Sequence, residues 1–211
     1  MMQEYLDARR WFYKKGGKKN MKKLICLSLA MTLTLSLTAC GGGKTSATTK
    51  DDTEGKTALD ILTDAWAVYE EDEKFAIAGG DYENMVMDAP GAVNVSDGET
   101  LDALLGFPAA SAGLIDDGAS LMHMMNQNTF TAGAYHVAKA DDVQAVADAV
   151  KENIMNRQWM CGFPDDLVIY SVGANYVVAV FGAEDVVDNF EEALEEFYAS
   201  TKILYDEDLT F

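Results

Sequence analysis

The side chains with the most suggestive chemistry are methionines, one histidine and one cysteine in the second half of the chain. The set comprises Met122, His123, Met124, Met125, Met155, Met160 and Cys161. Thioether sulfur, imidazole nitrogen and thiolate sulfur are ligands that the soft cation Cu(I) prefers. Within this set His123, Met125 and Cys161 are the metal-ligand candidates, and a soft-metal (copper) binding protein is one functional hypothesis.

Backbone geometry argues against one ion bound by the consecutive residues 122–125. Along a strand successive side chains point to opposite faces, so Met122 and Met124 face one way and His123 and Met125 the other. Methionine is also an ordinary filler of hydrophobic cores. The sequence therefore favours core packing for this cluster, and no metal or other cofactor is expected.

Nucleophilic catalysis is the other chemistry that Cys161 suggests. It would require a nearby base, and the sequence offers His123 and His136. The neighbours of the cysteine along the chain are large and apolar, namely Trp159, Met160 and Phe163. They predict that this connection folds over the sheet edge and buries the thiol, which would leave little reactive thiolate. The sequence favours an inert Cys161 and a solvated or hydrogen-bonded His136.

Other motifs give no catalytic constellation. Three aspartate pairs suggest calcium or glycosidase chemistry, namely Asp116-Asp117, Asp141-Asp142 and Asp165-Asp166. The chain has no alternating acids of a calcium loop, and turns and helix caps explain all three pairs. Ser120 lacks the following glycine of a nucleophile elbow, and no phosphate loop, zinc spacing or dinucleotide fingerprint occurs. An enzyme is therefore not expected, although a surface enzyme remains an alternative.

The N-terminal part of the chain carries an export signal. Met21–Cys40 reads MKKLICLSLAMTLTLSLTAC, a short basic head followed by an apolar stretch and small residues. This pattern is typical of a secretory signal and not of a spanning helix. Its end, Leu37-Thr38-Ala39-Cys40, resembles the lipobox of bacterial lipoproteins. The resemblance implies that Cys40 is lipidated and anchors the protein to the extracytoplasmic face of the cell membrane.

The signal divides the chain into four expected parts. Residues 1–20 are interpreted as a leader from a start codon assigned too early, with an unusually long basic n-region as the rival interpretation. Residues 21–39 are the signal peptide. Residues 40–56 are rich in Gly, Ser, Thr and charge, which predicts a flexible tether. Residues 57–211 are long enough for a single globular domain.

The chain from Cys40 onward is strongly acidic. It contains 8 basic and 33 acidic residues, a formal net charge of −25. Such a surface repels nucleic acid and anionic lipid headgroups, so no nucleic-acid partner is expected and the lipid provides the membrane contact. After cleavage and lipidation Cys161 would be the one remaining thiol, which excludes an intrachain disulfide.

Hydrophobic periodicity predicts an α+β domain. Helices are expected from a capping box at Thr57 to about Lys74, from Ser96 to Leu105, from Asp141 to about Arg157, and over 183–200. Strands are expected at 119–125, 129–138, 167–170 and 176–181, with 75–95 irregular. The expected architecture is an antiparallel sheet of about four strands with helices packed on one face. Similar stretches at 137–143 and 180–186 suggest a strand-strand-helix repeat.

Three segments resemble small lipoproteins of Gram-positive gut bacteria, a family without an assigned function. They are LMHMMNQNTFTAG at 121–133, RQWMCGFP at 157–164 and NYVV at 175–178. The resemblance implies a small α+β domain at the cell surface and supplies no catalytic residues. We therefore expect a lipid-anchored extracytoplasmic binding or accessory module, whose protein or small-molecule partner the sequence does not name.

Overall fold

The computed structural model describes residues 53–71, 73–160 and 162–209. Within these ranges the elements are, in chain order, α1 (Ala58–Val68), β1 (Ile77–Gly79), β2 (Val86–Met87), β3 (Gly91–Ala92), α2 (Gly98–Leu105), β4 (Ile115–His123), β5 (Phe130–Val137), α3 (Val143–Met155), β6 (Asp166–Val172), β7 (Tyr176–Gly182), α4 (Glu184–Phe197) and β8 (Lys202–Asp208). Short 3-10 helices at Ala109–Leu114 and Ala140–Asp142 precede β4 and α3. The predictions for residues 1–52, Cys40 among them, and for Cys161 lie outside the described residues.

Helix α1 begins at the predicted capping box. The hydroxyl of Thr57 accepts a hydrogen bond from the backbone N–H of Asp60, and the Asp60 carboxylate accepts one from the N–H of Thr57. The helix ends at Val68 and not near Lys74 as predicted. The acids that follow Val68 are unfavourable at a helix C-terminus, which explains the earlier end.

Helix α2 also has defined ends. Asp97, one residue after the predicted Ser96, is its N-cap and accepts a hydrogen bond from the N–H of Thr100. Gly106 ends the helix in the left-handed conformation, with φ of +65°, as the sequence predicts.

The strands form one antiparallel sheet with eight members, so the prediction of about four strands is wrong. The order is β2-β1-β4-β5-β7-β6-β8, and β3 also pairs with β4. The four predicted strands are the central ones, β4 to β7. The additional strands are β1, β2 and β3, within the segment expected to be irregular, and β8, which follows the last helix. The α+β class itself is confirmed.

Helical residues contribute to buried clusters on both faces of the sheet. Helices α1 and α4 share one cluster with sheet residues such as Val178 and Val180, whereas α2 and α3 share the other with Val177 and Ala179. The prediction of helices on one face is therefore wrong. Burial on both sides explains why β7 is apolar at consecutive positions, a pattern that differs from the alternation of a half-solvated strand.

The order strand-strand-helix occurs twice, as β4-β5-α3 and β6-β7-α4, but α3 and α4 lie on opposite faces. Helix α3 links the parallel strands β5 and β6, and α4 links the parallel strands β7 and β8. Both connections move the same way across the sheet but start from strands of opposite direction. Two strand-helix-strand crossovers of the same handedness must then place their helices on opposite faces of the sheet. This arrangement agrees with the strong preference of such crossovers for one handedness. The repeat is one of element order and not of packing.

Candidate functional site

The loop from Gly80 to Pro90 leaves the sheet edge and returns to it. Strands β1 and β3 follow one another along the same edge of β4, where they pair with residues 122–123 and 119–120. Between them the chain folds back as β2 along the outer side of β1. The loop therefore projects from the sheet edge, and both of its ends lie at that edge.

Close backbone contacts fix the base of this loop. A Cβ atom on Gly79 would lie 2.1 Å from the backbone nitrogen of Gly91, so the two strands approach more closely than any side chain would allow. Gly80 has a φ of +83°, which glycine adopts without strain. The Gly80 carbonyl accepts a 2.7 Å hydrogen bond from the buried hydroxyl of Ser120. Both ends of the loop are thus held against the sheet.

Asp81 is a buried carboxylate inside the loop, with 4% of its surface exposed. It accepts hydrogen bonds from the backbone N–H groups of Glu83, Asn84 and Asn94, at distances from 2.8 to 3.0 Å. Burial acts to raise the pKa of this carboxyl, but the hydrogen bonds outweigh it and hold the pKa below its ordinary value. The charged Asp81 therefore ties the outgoing arm of the loop to the chain that follows its return.

The tip of the loop is apolar and exposed. Tyr82, Met85 and Met87 expose 65%, 57% and 53% of their surface. The turn after β4 adds Met124 and Met125, which expose 43% and 78%. Exposure of large apolar groups is informative where they occur together. We call Met85, Met87, Met124 and Met125 the methionine surface.

The register of the sheet places Met85, Met87 and Met124 on one side. Met87 pairs with Ala78, and Ala78 pairs with Met122, so these three side chains share a face. By strand alternation Met85 and Met124 continue that face from Met87 and Met122. Neighbouring strands lie about 4.8 Å apart, so Met87 and Met122 are separated by roughly 10 Å. The loop and the turn therefore expose methionines on the same face of the sheet.

The prediction of core packing for the methionine cluster is correct for Met122, which is 4% exposed and belongs to the cluster under α2 and α3. It is wrong for Met124, Met125 and Met160, which are exposed. These residues lie in a turn and in a connection at the rim of the sheet, outside the area that the helices cover.

His123 makes structural contacts that fix the turn. Its ring stacks on Phe75, with centroids 5.4 Å apart and planes 16° apart. Its Nδ1 accepts hydrogen bonds from the backbone N–H groups of Met125 and Asn126, both at 3.2 Å. The Nδ1 lone pair is thereby used within the turn, and the histidine positions Met125 at its tip.

Two of the three metal-ligand candidates fall within the described residues. His123 and Met125 share a turn, and Cys161 is not among the described residues. Across the described part of the chain, no group of three His, Cys, Asp or Glu side chains could hold a metal ion. The site that emerges here is apolar, with thioether groups as its distinguishing chemistry.

The connection between α3 and β6 is only partly covered. The Trp159 ring packs on Phe181 with centroids 5.2 Å apart, and the Arg157 guanidinium lies 5.3 Å from the indole centroid. Met160 and Phe163 expose 82% and 63% of their surface, so the prediction that this connection is covered is wrong at both positions. The side chain of Asn128 reaches it by donating to the backbone carbonyl of Met160. The exposed apolar area therefore extends from the β4–β5 turn toward this connection.

A polar cluster lies at the opposite end of the sheet. His136 Nδ1 is 2.5 Å from a carboxylate oxygen of Asp116, and the histidine ring packs against Tyr176. The Tyr176 hydroxyl donates a hydrogen bond to the carbonyl of Lys56. The adjoining cleft, lined in part by Thr53–Lys56, holds about 240 Å³, less than most ligand pockets. His136 is thus hydrogen-bonded, as the sequence favours, beside a small cleft.

The sequence predicts turn and helix-cap roles for the aspartate pairs. This prediction is correct for Asp117 and wrong for Asp141. Asp117 accepts a 2.7 Å hydrogen bond from the N–H of Ala58, which caps α1 from a strand far along the chain. The predicted cap of α3 by Asp141 is wrong, because the helix begins at Val143 without a side-chain cap. A 3-10 turn over Ala140–Asp142 leads into that helix.

No helix among the described residues combines the length and the apolar character needed to cross a membrane. No family model matches the chain, and no curated protein or solved structure is significantly similar to it. The candidate site is accordingly identified by its own geometry, as four exposed methionines on a loop and a turn whose bases are fixed to the sheet.

Proposed function

We propose that this protein is a lipid-anchored extracytoplasmic binding module that holds a partner on its methionine surface. The observation that carries the proposal is the exposure of Met85, Met87 and Met124 on one face of the sheet, with Met125 next to Met124 in the turn that follows β4. Groups of exposed large apolar side chains are typical of interaction sites. Methionine suits this role because its unbranched, polarisable side chain adapts to the shape of a partner.

The loop has a fixed base and an exposed apolar tip. These features favour a binding role over a surface loop that has no function. Asp81 is charged and buried, and its hydrogen bonds tie the outgoing arm of the loop to Asn94, which follows the loop's return. Burying a charged group is costly without such partners, so this arrangement indicates a loop held in one shape. A loop that is already ordered loses less conformational entropy when a partner binds.

The anchoring half of the proposal rests on the sequence Met21–Cys40 with its lipobox-like end. One lipid chain gives only marginal membrane binding, whereas two give a stable anchor, and diacylation of Cys40 would supply two. The location that follows is the extracytoplasmic face of the cell membrane. An apolar surface in that position meets proteins of the envelope or of the surroundings.

The position of the methionine surface suits a tethered module. The chain enters the domain near the start of β4, where Asp117 binds the N–H of Ala58. Met124 follows the other end of β4, seven residues along, which is roughly 23 Å away in an extended strand. A tether joined at the entry point would leave the methionine surface free at the far end of the domain.

The proposal can be tested on protein extracted from membranes in a mild detergent. We expect the wild-type protein to migrate in a complex larger than the single chain, and a Met85→Gln, Met87→Gln double variant to migrate as the single chain. Ile203→Gln on β8 is the matched control, because Ile203 is 43% exposed on another edge of the sheet. Identical migration of all three proteins would contradict the proposal.

A further inference from the structure

We infer that the partner presents a basic amphipathic helix to the methionine surface; this inference rests on the proposed function and names the chemistry of the partner. Its starting point is the charge beside the exposed methionines. Glu83 and Asp88 are exposed on either side of Met85 and Met87, within the same loop. Residues 80–90 and 122–128 contain no lysine or arginine.

Charge complementarity therefore selects a cationic partner. Two flanking carboxylates attract lysine or arginine side chains at the edge of an apolar contact, and the acidic domain as a whole adds to this field. The formal net charge of the full chain is −19. An acidic partner, or one of neutral composition, gains nothing from this arrangement.

The shape of the edge favours a helix over an added strand. Strand β2 is the outermost strand on this side, and it has two residues, too few to guide the pairing of an extended peptide. Strand β8 on the other edge is longer, but it contains a register shift and ends in Asp206, Glu207 and Asp208, features that discourage strand addition. Side chains must therefore provide recognition at the methionine surface, as when an amphipathic helix lays its apolar face on a groove.

An anionic membrane is a poorer occupant of the same surface. Loops that insert into membranes combine apolar groups with lysine or arginine, which interact with anionic headgroups. The loop 80–90 has acids in those places, Asp88 next to Met87 among them. Repulsion between these carboxylates and the headgroups opposes insertion.

The test uses the lipidated protein in phosphatidylcholine nanodiscs, with methionines labelled at their methyl groups for NMR. The probe is a synthetic Leu/Lys peptide whose leucines recur at helical spacing. Two peptides serve as controls, one with the same composition scrambled and one with glutamate in place of lysine. We expect the Leu/Lys helix to shift the signals of Met85, Met87 and Met124, and to leave that of Met155 in place.

Variants separate the charge from the apolar contact. Glu83→Gln with Asp88→Asn should weaken binding about fivefold or more at low salt and reduce its salt dependence. Asparagine is a suitable replacement at Asp88, because both residues tolerate its φ of +59°. Glu195→Gln with Glu196→Gln on α4 removes the same charge elsewhere and should leave the affinity unchanged.

Each outcome has a defined meaning. If the Leu/Lys helix binds the methionine surface, and the Glu83/Asp88 pair of substitutions weakens it while the α4 pair does not, the inference is supported. If the acidic helix shifts the same methionine signals equally, the basic partner is overturned and the proposed binding surface stands. If those signals respond to phosphatidylglycerol in the nanodisc and not to the Leu/Lys helix, the surface is membrane-binding and the inference fails. If none of these additions moves the signals, the inference is overturned.

Discussion

Met87 and Met122 share one face of the sheet, separated by Ala78, yet Met87 is 53% exposed and Met122 is 4% exposed. The difference arises because Met122 belongs to β4 and packs in the cluster under α2 and α3, whereas Met87 belongs to the edge strand β2. Two identical side chains in one cross-strand row therefore have separate roles. One contributes to the core and the other to the proposed binding surface.

This difference predicts unequal losses of stability for the same substitution at the two positions. Met122→Ala should lower the free energy of unfolding by about 2–5 kcal/mol, because it leaves a cavity in the core. Met87→Ala should change it by less than about 0.5 kcal/mol, because the side chain is exposed. Urea unfolding followed by circular dichroism measures both. Equal losses for the two variants would mean that Met87 is buried or that Met122 is not.

Asp81 predicts a stability that depends on pH. Asp81→Asn should lower the free energy of unfolding at neutral pH by about 1.5–3 kcal/mol, because an amide cannot accept hydrogen bonds from three N–H groups as a carboxylate does. The folded pKa lies below the ordinary value of 3.8, so the carboxylate stabilises the fold above that value. The stabilisation is lost as the pH falls through the lower, folded pKa.

The measurement that follows is urea unfolding of wild type and Asp81→Asn from neutral pH down to strongly acidic pH. We expect the two curves of stability against pH to converge below the ordinary carboxyl pKa. A constant difference at all pH values would show that the variant acts through packing and not through the charge.

The buried hydroxyl of Tyr135 leads us to expect that Tyr135→Phe does not lower the free energy of unfolding. Its ring is fully buried over Gly133, and its hydroxyl has no hydrogen-bond partner within the described residues. Burial raises the pKa of this phenol, so it stays neutral. Tyr135→Phe removes an unsatisfied group and should raise the free energy of unfolding by about 1 kcal/mol.

A second tyrosine in the same sheet provides the control. Tyr170 is also buried, but its hydroxyl donates to a carboxylate oxygen of Glu191 at 3.2 Å. Tyr170→Phe should lower the free energy of unfolding by about 1 kcal/mol, because this hydrogen bond is lost. Thermal unfolding of both variants decides the matter, and a clear loss for Tyr135→Phe would indicate a partner for its hydroxyl.

The sequence correctly predicts those helices and strands that are specified by a few adjacent residues. The capping box at Thr57, the left-handed Gly106 and the apolar runs of β6 and β7 all reside in a few adjacent residues. The sequence underestimates the sheet because β1, β2 and β3 have only two or three residues each, too short for a periodic pattern. Strand β8 is longer, but it is largely exposed and ends in three acids, so it lacks the apolar run of a buried strand. The apolar runs of β6 and β7 did carry the signal of burial on both faces, since a half-solvated strand would alternate.

The candidate site could not be derived from the sequence, because its parts meet only in the folded sheet. Met85 and Met87 come from an edge loop, and Met124 and Met125 from a turn that the alignment of β1 with β4 brings alongside. A methionine in the sequence looks the same whether it fills a core or lies exposed. The turn residues on both sides of 85–87, Gly79-Gly80 and Ala89-Pro90-Gly91, were the available sign of an exposed loop.

The anchor predicts a change of location. Cys40→Ser removes the proposed lipid site and should move the protein from the membrane fraction to an unprocessed or released form. Metabolic labelling with a clickable fatty acid checks the lipid directly, with Cys161→Ser as the matched control that should retain the label. Equal labelling and equal fractionation of Cys40→Ser and wild type would refute lipidation at Cys40.

The most direct test of the central claim is photocrosslinking at the methionine surface of the lipidated protein in intact cells. A photoreactive amino acid replaces Met125 in one variant and Ile203 in another, since both positions are exposed and they lie on different parts of the sheet. We expect a discrete crosslinked product from position 125 and none from position 203. Crosslinking that is absent from position 125, or equal at the two positions, while both variants reach the cell surface, would contradict it.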